Sequence, residues 1–257
     1  MLMKKRNENA PFANTAQMLE LASSIIKNLP KDMPENVAQG WIINPPGLAA
    51  VLRDVLIPAP PDESDQDILG EARYSQALAE WYAFYTDVFG LDLQREFLDM
   101  KMPNYRPGFE RSIVIPKGLT MDAVYAKCAQ LFPSWKYIDG SLDEAVPTND
   151  RNSNNGSYAI WIRDRVEADE ELKNKSANDL KAANVPGITL LERLVLELKY
   201  FKETGKHLDL QNVTACTGSR SSGGGVPSVS WVSDGLGVGW SDADAQFPFL
   251  RSREVVS

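Results

Sequence analysis

Hydrophobic positions recur with helical spacing early in the chain and with strand spacing late in it. Over residues 15–29, Met18, Leu21, Ala22, Ile25, Ile26 and Leu29 share one face of a helix that Pro30 stops. Further helices are predicted over residues 48–56 and around residues 78–89. Between them residues 58–67, crowded with prolines and acids, predict an exposed loop. The aromatic run Trp81, Tyr82, Phe84, Tyr85 and Phe89 falls within the third helix, where such a stripe is expected to be core.

After Pro107-Gly108 the pattern changes. Residues 112–116 are a short apolar strand, followed by Thr120 as a helix N-cap, with Leu119 stapling onto Val124, and a helix that runs to about Phe132 and stops at Pro133. A second strand is predicted over residues 158–162, behind an Asn-rich turn over residues 149–155. Residues 163–181 follow, with 11 of 19 charged, and predict a solvated face. The strongest local signal is a helix from Leu190 to about Thr204. Thr189 and Glu192 form a capping box, Leu190, Leu194, Leu198 and Phe201 form a stripe, and Gly205 stands at the C-cap. Beyond Val213–Cys216, Val226, Val229, Trp231, Leu236, Val238 and Trp240 alternate with small polar residues, which predicts short half-buried strands. The fold class is therefore α+β, a mainly helical N-terminal region over 1–110 and a mixed domain over 111–257.

At 257 residues and 43% hydrophobic, the chain can bury a large core without staples. A net charge of −8 argues against nucleic acid as a partner. The start, Met1 to Asn9, is basic but has no apolar run behind it, so no signal peptide is expected. No stretch is long enough for a membrane span. The expected compartment is the cytoplasm, with any display route open. Cys128 and Cys216 are read as reduced, buried thiols, with one bridge between them as the alternative.

Little catalytic chemistry stands out. His207 is the one histidine and has no nucleophile motif beside it; it lies just past the helix C-cap, two residues beyond Gly205, where a basic group meets the helix dipole. Residues 218–225 are glycine-rich but lack the lysine and following helix of a phosphate loop. The acids Asp164, Glu167, Asp169, Glu170 and Glu171 are interleaved with Arg163, Arg165, Lys173 and Lys175, which favours ion pairing over a calcium site. No catalytic residue, metal ligand or cofactor is assigned.

Residues 217–257 differ in composition from the rest. They hold seven Gly and nine Ser, no Lys, Met, Asn or Tyr, one Glu (Glu254) and one Gln (Gln246). Together with the phrases Tyr158-Ala-Ile-Trp-Ile-Arg-Asp-Arg-Val-Glu-Ala-Asp-Glu-Glu-Leu, Gly187-Ile-Thr-Leu-Leu-Glu-Arg-Leu, Cys216-Thr-Gly-Ser-Arg and Leu250-Arg-Ser-Arg, this stretch resembles the variable proteins of diversity-generating retroelements. The resemblance covers about residues 112–257. It implies a C-type-lectin-like domain whose final strand pairs back with its first, setting residues 250–256 beside residues 112–116. It also implies that a reverse transcriptase copies a template repeat with errors at adenines. Asn codons then give Ser, Gly, Asp, Ala, Val, Phe or Pro but never Lys, Glu, Gln, Met or Trp. Gln246 and Glu254 depart from that set and are assigned to fixed or differently encoded positions.

On this basis the function expected is non-enzymatic ligand binding through a diversified surface, toward a protein or surface ligand. Val229, Trp231, Val238 and Trp240 are expected to face the core. The candidate contact positions are Ser221, Ser222, Gly225, Ser228, Ser230, Ser233, Asp234, Gly235, Gly237, Gly239, Ser241, Asp242, Asp244, Ala245, Phe247 and Phe249. The alternatives are an enzyme of the formylglycine-generating type, which would need reactive cysteine chemistry, and a phage or cell-surface structural protein in which residues 1–110 form a homo-oligomer.

Overall fold

In the computed structural model, which describes residues 15–27, 29–56, 63–98 and 100–257, three helices precede residue 57. These are α1 (Thr15–Lys27), α2 (Glu35–Ile43) and α3 (Pro45–Leu56). The sequence pattern misses α2 because it has no apolar stripe: none of its residues is buried, and Ile42 and Ile43 are 67% and 73% exposed. The basic start, Met1 to Asn9, and the Pro58 to Asp62 part of the expected loop lie outside the described residues. The rest of that loop is corrected, since residues 63–67 begin α4 (Glu63–Phe89). Acidic residues suit the first turn of a helix, so a charge-rich stretch is no bar to one.

The chain divides into two compact units, 1–64 and 65–257. Residues 65–110, grouped by their helical pattern with the N-terminal region, thus pack in the second unit. There Trp81, Phe84 and Tyr85 are buried, so the aromatic run is core. It is followed by α5 (Gln94–Leu98), β1 (Arg111–Ile115), α6 (Met121–Leu131), β2 (Ser134–Lys136), α7 (Leu142–Ala145), β3 (Thr148–Asn149) and β4 (Tyr158–Ile162). The remaining elements are α8 (Ala177–Ala182), α9 (Leu190–Thr204), β5 (Val213–Ala215), β6 (Ser219–Arg220), β7 (Val226–Val232), β8 (Gly235–Ser241), β9 (Leu250–Arg251) and β10 (Val255–Val256).

Helix α9 runs through the centre of the unit. Both halves of its capping box form, and Gly205 closes it in the left-handed region at φ 67°. Thr120 caps α6 by accepting from the Ala123 amide. Around these helices lie three sheets, ordered β1-β4-β10, β2-β8-β7-β5-β9 and β3-β6.

The expected return of the C-terminal segment to β1 is corrected. Residues 250–251 instead pair in parallel with β5, Val213 opposite Leu250, while Val255 and Val256 pair antiparallel with Ile162 and Trp161 of β4. β4 therefore separates β10 from β1. Two contacts explain this. α4 engages β1 directly, with the Tyr85 hydroxyl donating to Val114 O at 2.7 Å and Trp81 Nε1 to Ser112 Oγ at 3.0 Å. Between β9 and β10, Arg253 turns inward and is 1% exposed, which splits the segment into two strands.

Candidate functional site

The β7–β8 hairpin sets Ser228 opposite Gly239, Val229 opposite Val238 and Ser230 opposite Gly237. Alternation then gives two faces. Val229, Leu236 and Val238 are fully buried on the core side, and Trp231 and Trp240 pack at its margin. The other face carries only serine and glycine along most of its length. A two-residue turn joins the strands, with Ser233 at φ 49° and Asp234 at φ 65°. Asp is among the residues that best tolerate that region.

The small-residue face is not open to solvent as expected, and the outward positions are corrected accordingly. β2 runs parallel beside β8, pairing Trp135 with Gly237, and Tyr137 N donates to Val238 O at 3.0 Å. A Cβ on Gly235 would lie 2.3 Å from Trp135 Cζ3 and 2.9 Å from Pro133 O; one on Gly237 would lie 3.1 Å from Trp135 Nε1, and one on Gly239 3.3 Å from Tyr137 Cδ2. The glycines are thus the seat of two aromatic rings. Ser228 and Ser230 are 9% and 8% exposed beneath the same surface.

Across the sheet, Val213 N donates to Phe249 O at 2.8 Å, which brings the 242–249 loop to the opposite margin. Phe247 and Phe249 stack there, centroids 5.3 Å apart and planes within 3°. Trp135 and Tyr137 on one side, Phe247 and Phe249 on the other, and a floor of Ser228, Ser230, Gly237 and Gly239 enclose a concavity of about 260 Å³. A second hollow of about 500 Å³ adjoins it, shares Trp240, Ser241 and Phe247, and adds Gly225, Asp242, Asp244 and Ala245. The loop between is pinned to α8. Asn178 Nδ2 donates to Asp244 Oδ1 at 2.6 Å, and Gln246 Nε2 donates to Asp179 Oδ2 at 2.7 Å. Ser221 and Ser222 lie apart from both hollows, in a turn where Ser221 N donates to Gly225 O and Ser222 N to Ala145 O.

Beneath the hairpin lies a buried charge network. Arg193 Nε donates to Asp209 Oδ2 at 2.9 Å and its Nη1 to Glu197 Oε2 at 2.8 Å. Arg253 Nη2 donates to Asp209 Oδ1 at 2.7 Å, and its other donors reach Thr214 Oγ1, Arg165 O and Val166 O. Burial pushes the Asp209 carboxyl up, but Arg253 and Arg193 overcome this and hold it below its usual value. His207 is not simply laid over the end of α9. Its ring is stacked between Phe201 and Trp231, with the Trp231 centroid 3.4 Å away, and its Nδ1 is 3.0 Å from Glu197 Oε1. The sequence signals for this network were the i, i+4 spacing of Arg193 and Glu197 and the Arg-Ser-Arg phrase.

The acidic run is a solvated face at Asp164, Glu170 and Glu171, but two of its members turn inward. Glu167 accepts from the amides of Leu210, Gln211 and Asn212, and Asp169, 1% exposed, pairs with Arg163 at 2.6 Å. Glu254 pairs with Arg163 at 2.8 Å and with Arg106. Among the described residues, no group of three or more His, Cys, Asp or Glu is placed to hold a metal ion. The glycine-rich 218–225 segment has its Gly218, Ser221, Ser222 and Gly224 amides donating to backbone carbonyls, which leaves little for an anion. Cys128 and Cys216 are free and fully buried, and burial raises both thiols well above the usual range. No described helix is long and apolar enough to cross a membrane.

Comparison with protein families, with curated proteins and with solved structures gives no match.

Proposed function

We propose that the chain is a non-enzymatic ligand-binding protein whose C-type-lectin-like domain, 111–257, presents residues 217–257 as a surface diversified by adenine-directed retroelement mutagenesis. One observation carries the binding role: candidate contact positions from β7, β8 and the 242–249 loop, which follow from the resemblance and the strand alternation, converge on one aromatic-walled concavity. Concave sites with apolar walls and a few polar groups are where small ligands and anchoring side chains bind.

Two further features support diversification. Gln246 and Glu254, which fall outside the set reachable from Asn codons, both bond to framework residues, Asp179 in one case and Arg106 and Arg163 in the other. That suits fixed positions. The hairpin also rests on a charge network that contains no candidate contact residue, so its support is independent of the surface it carries. Burial of both cysteines gives no support to thiol chemistry of the formylglycine-generating kind.

The test is to sequence the DNA flanking the gene. The expected result is a near-copy of the segment encoding residues 217–257 beside a reverse transcriptase gene, differing only at template adenines. Differences should fall at Ser228, Ser230, Ser241, Asp242, Phe247 and Phe249, and not at Gly235. With no such repeat, residues 217–257 are a fixed β-segment and diversification is refuted.

A further inference from the structure

We infer that, in this chain, the concavity on the outer face of β7 and β8 takes an alkylated ammonium group, the head carried by choline or tetramethylammonium. The inference rests on the binding role proposed above and names its ligand class.

Three observations carry it. Four aromatic side chains bound the space from two opposed margins, Trp135 and Tyr137 on one and the stacked pair Phe247 and Phe249 on the other. Aromatic faces carry the negative end of a quadrupole and attract a cation placed over them, the more so where water is displaced. The floor between carries glycine and serine, with Val213, Val232, Trp240 and Leu250 completing the lining, so a bulky rounded group meets apolar and hydroxyl surface and no charged side chain. Finally, charge is one-sided. No Lys, Arg or His lines the concavity, while the hollow that shares its Ser241 and Phe247 brings in Asp242 and Asp244.

These features select among ligands. An anion finds no cationic partner in the lining and is repelled by the Asp242 and Asp244 carboxylates of the adjoining hollow. A primary ammonium is a strongly hydrated point charge and gives up water at high cost. An alkylated ammonium keeps the charge, sheds little water and offers methyl groups to the apolar walls. A neutral group of the same shape gains the burial but not the electrostatic attraction.

The experiment titrates the full chain with choline, with tetramethylammonium, and with the dimethylbutanol in which carbon replaces the choline nitrogen, following tryptophan fluorescence and calorimetric heat. Choline is expected to bind at least about tenfold more tightly than its carbon isostere. Phe249 is 50% exposed, so Phe249→Leu should fold normally, which a melting curve checks. It keeps apolar bulk while removing the π face and should weaken choline several-fold with little change for the isostere. Asp244→Asn should weaken choline at low salt and much less at high salt. Equal binding of choline and its isostere overturns the inference but leaves the concavity a binding site for an apolar ligand. Binding of neither overturns the inference outright, and the flanking DNA then decides the diversified-binder role separately.

Discussion

Arg253 reaches Asp209 across 44 residues of sequence, Nη2 to Oδ1 at 2.7 Å, with both side chains almost fully buried. The pair joins the C-terminal segment to the turn after α9, and the Thr214 hydroxyl donates to the same aspartate from β5. Removing one partner of a buried ion pair leaves an uncompensated charge, which costs about 3–5 kcal/mol. Arg253→Met is expected to lose that much stability in urea unfolding. Arg253→Lys should recover only part of it, because an ammonium cannot also serve Thr214, Arg165 and Val166 as a planar fork does. A loss below about 1 kcal/mol for Arg253→Met would remove the network from its supporting role.

Adding a methyl group to the hairpin glycines should have graded effects. At Gly235 the new carbon overlaps Trp135 and the Pro133 carbonyl at 2.3 and 2.9 Å, and the latter is backbone that cannot rotate away. Gly235→Ala is expected to cost about 1–3 kcal/mol and to shift the Trp135 emission. At Gly239 the nearest neighbour is the Tyr137 ring at 3.3 Å, on a side chain 73% exposed. Gly239→Ala should stay within about 1 kcal/mol of the parent. The reverse order in thermal melts would mean that Trp135 does not sit on β8.

The lowered carboxyls fix the direction of acid sensitivity. For Glu254, burial raises the group, but hydrogen bonds from Arg106 and Arg163 outweigh it and hold it below 4.5; Asp209 is likewise held below 3.8. A depressed folded value means stability that is complete above the unfolded value and lost as pH falls through the folded one. Unfolding free energies should therefore be flat near neutrality and fall below about pH 4. Asp209→Asn should be less stable at neutral pH and show a shallower decline in acid. A decline as steep as in the parent would assign the acid sensitivity to other groups.

Both thiols should be silent in the native protein. Cys128 and Cys216 are 0% exposed, and burial raises their ionisation well out of the physiological range. A thiol reagent at neutral pH should label neither until denaturant is added, and both thereafter. Rapid labelling of either in the native state would reopen cysteine chemistry.

The elements legible in the sequence are those whose signals are local. α9 is readable because Thr189, Glu192, the leucine stripe and Gly205 agree within a single segment, and β4 because residues 158–162 form an uninterrupted apolar run. The β7–β8 alternation is readable too, including which residues face the core. What covers the other face is not, since nothing near Trp135 announces that it will lie on Gly235 and Gly237, a hundred residues on. In the same way, the i, i+4 spacing of Arg193 and Glu197 does not announce that the pair is buried. They become interior only once Asp209 and Arg253 close over them. The choice of β4 over β1 by residues 255–256 likewise depends on α4, whose start the acidic stretch conceals.

The order β2-β8-β7-β5-β9 keeps β7 and β8 in the interior of their sheet. An exposed strand edge recruits other strands, and the hazard grows with the β-propensity of its side chains. Here the flanks of the hairpin are occupied by β2 and β5, whose residues lie outside the compositionally distinct segment. A side chain exchanged at an exposed hairpin position such as Val232 therefore does not lie on an open strand edge that could template self-association. The topology, rather than the identity of the exposed side chains, guards the hairpin against edge-to-edge pairing.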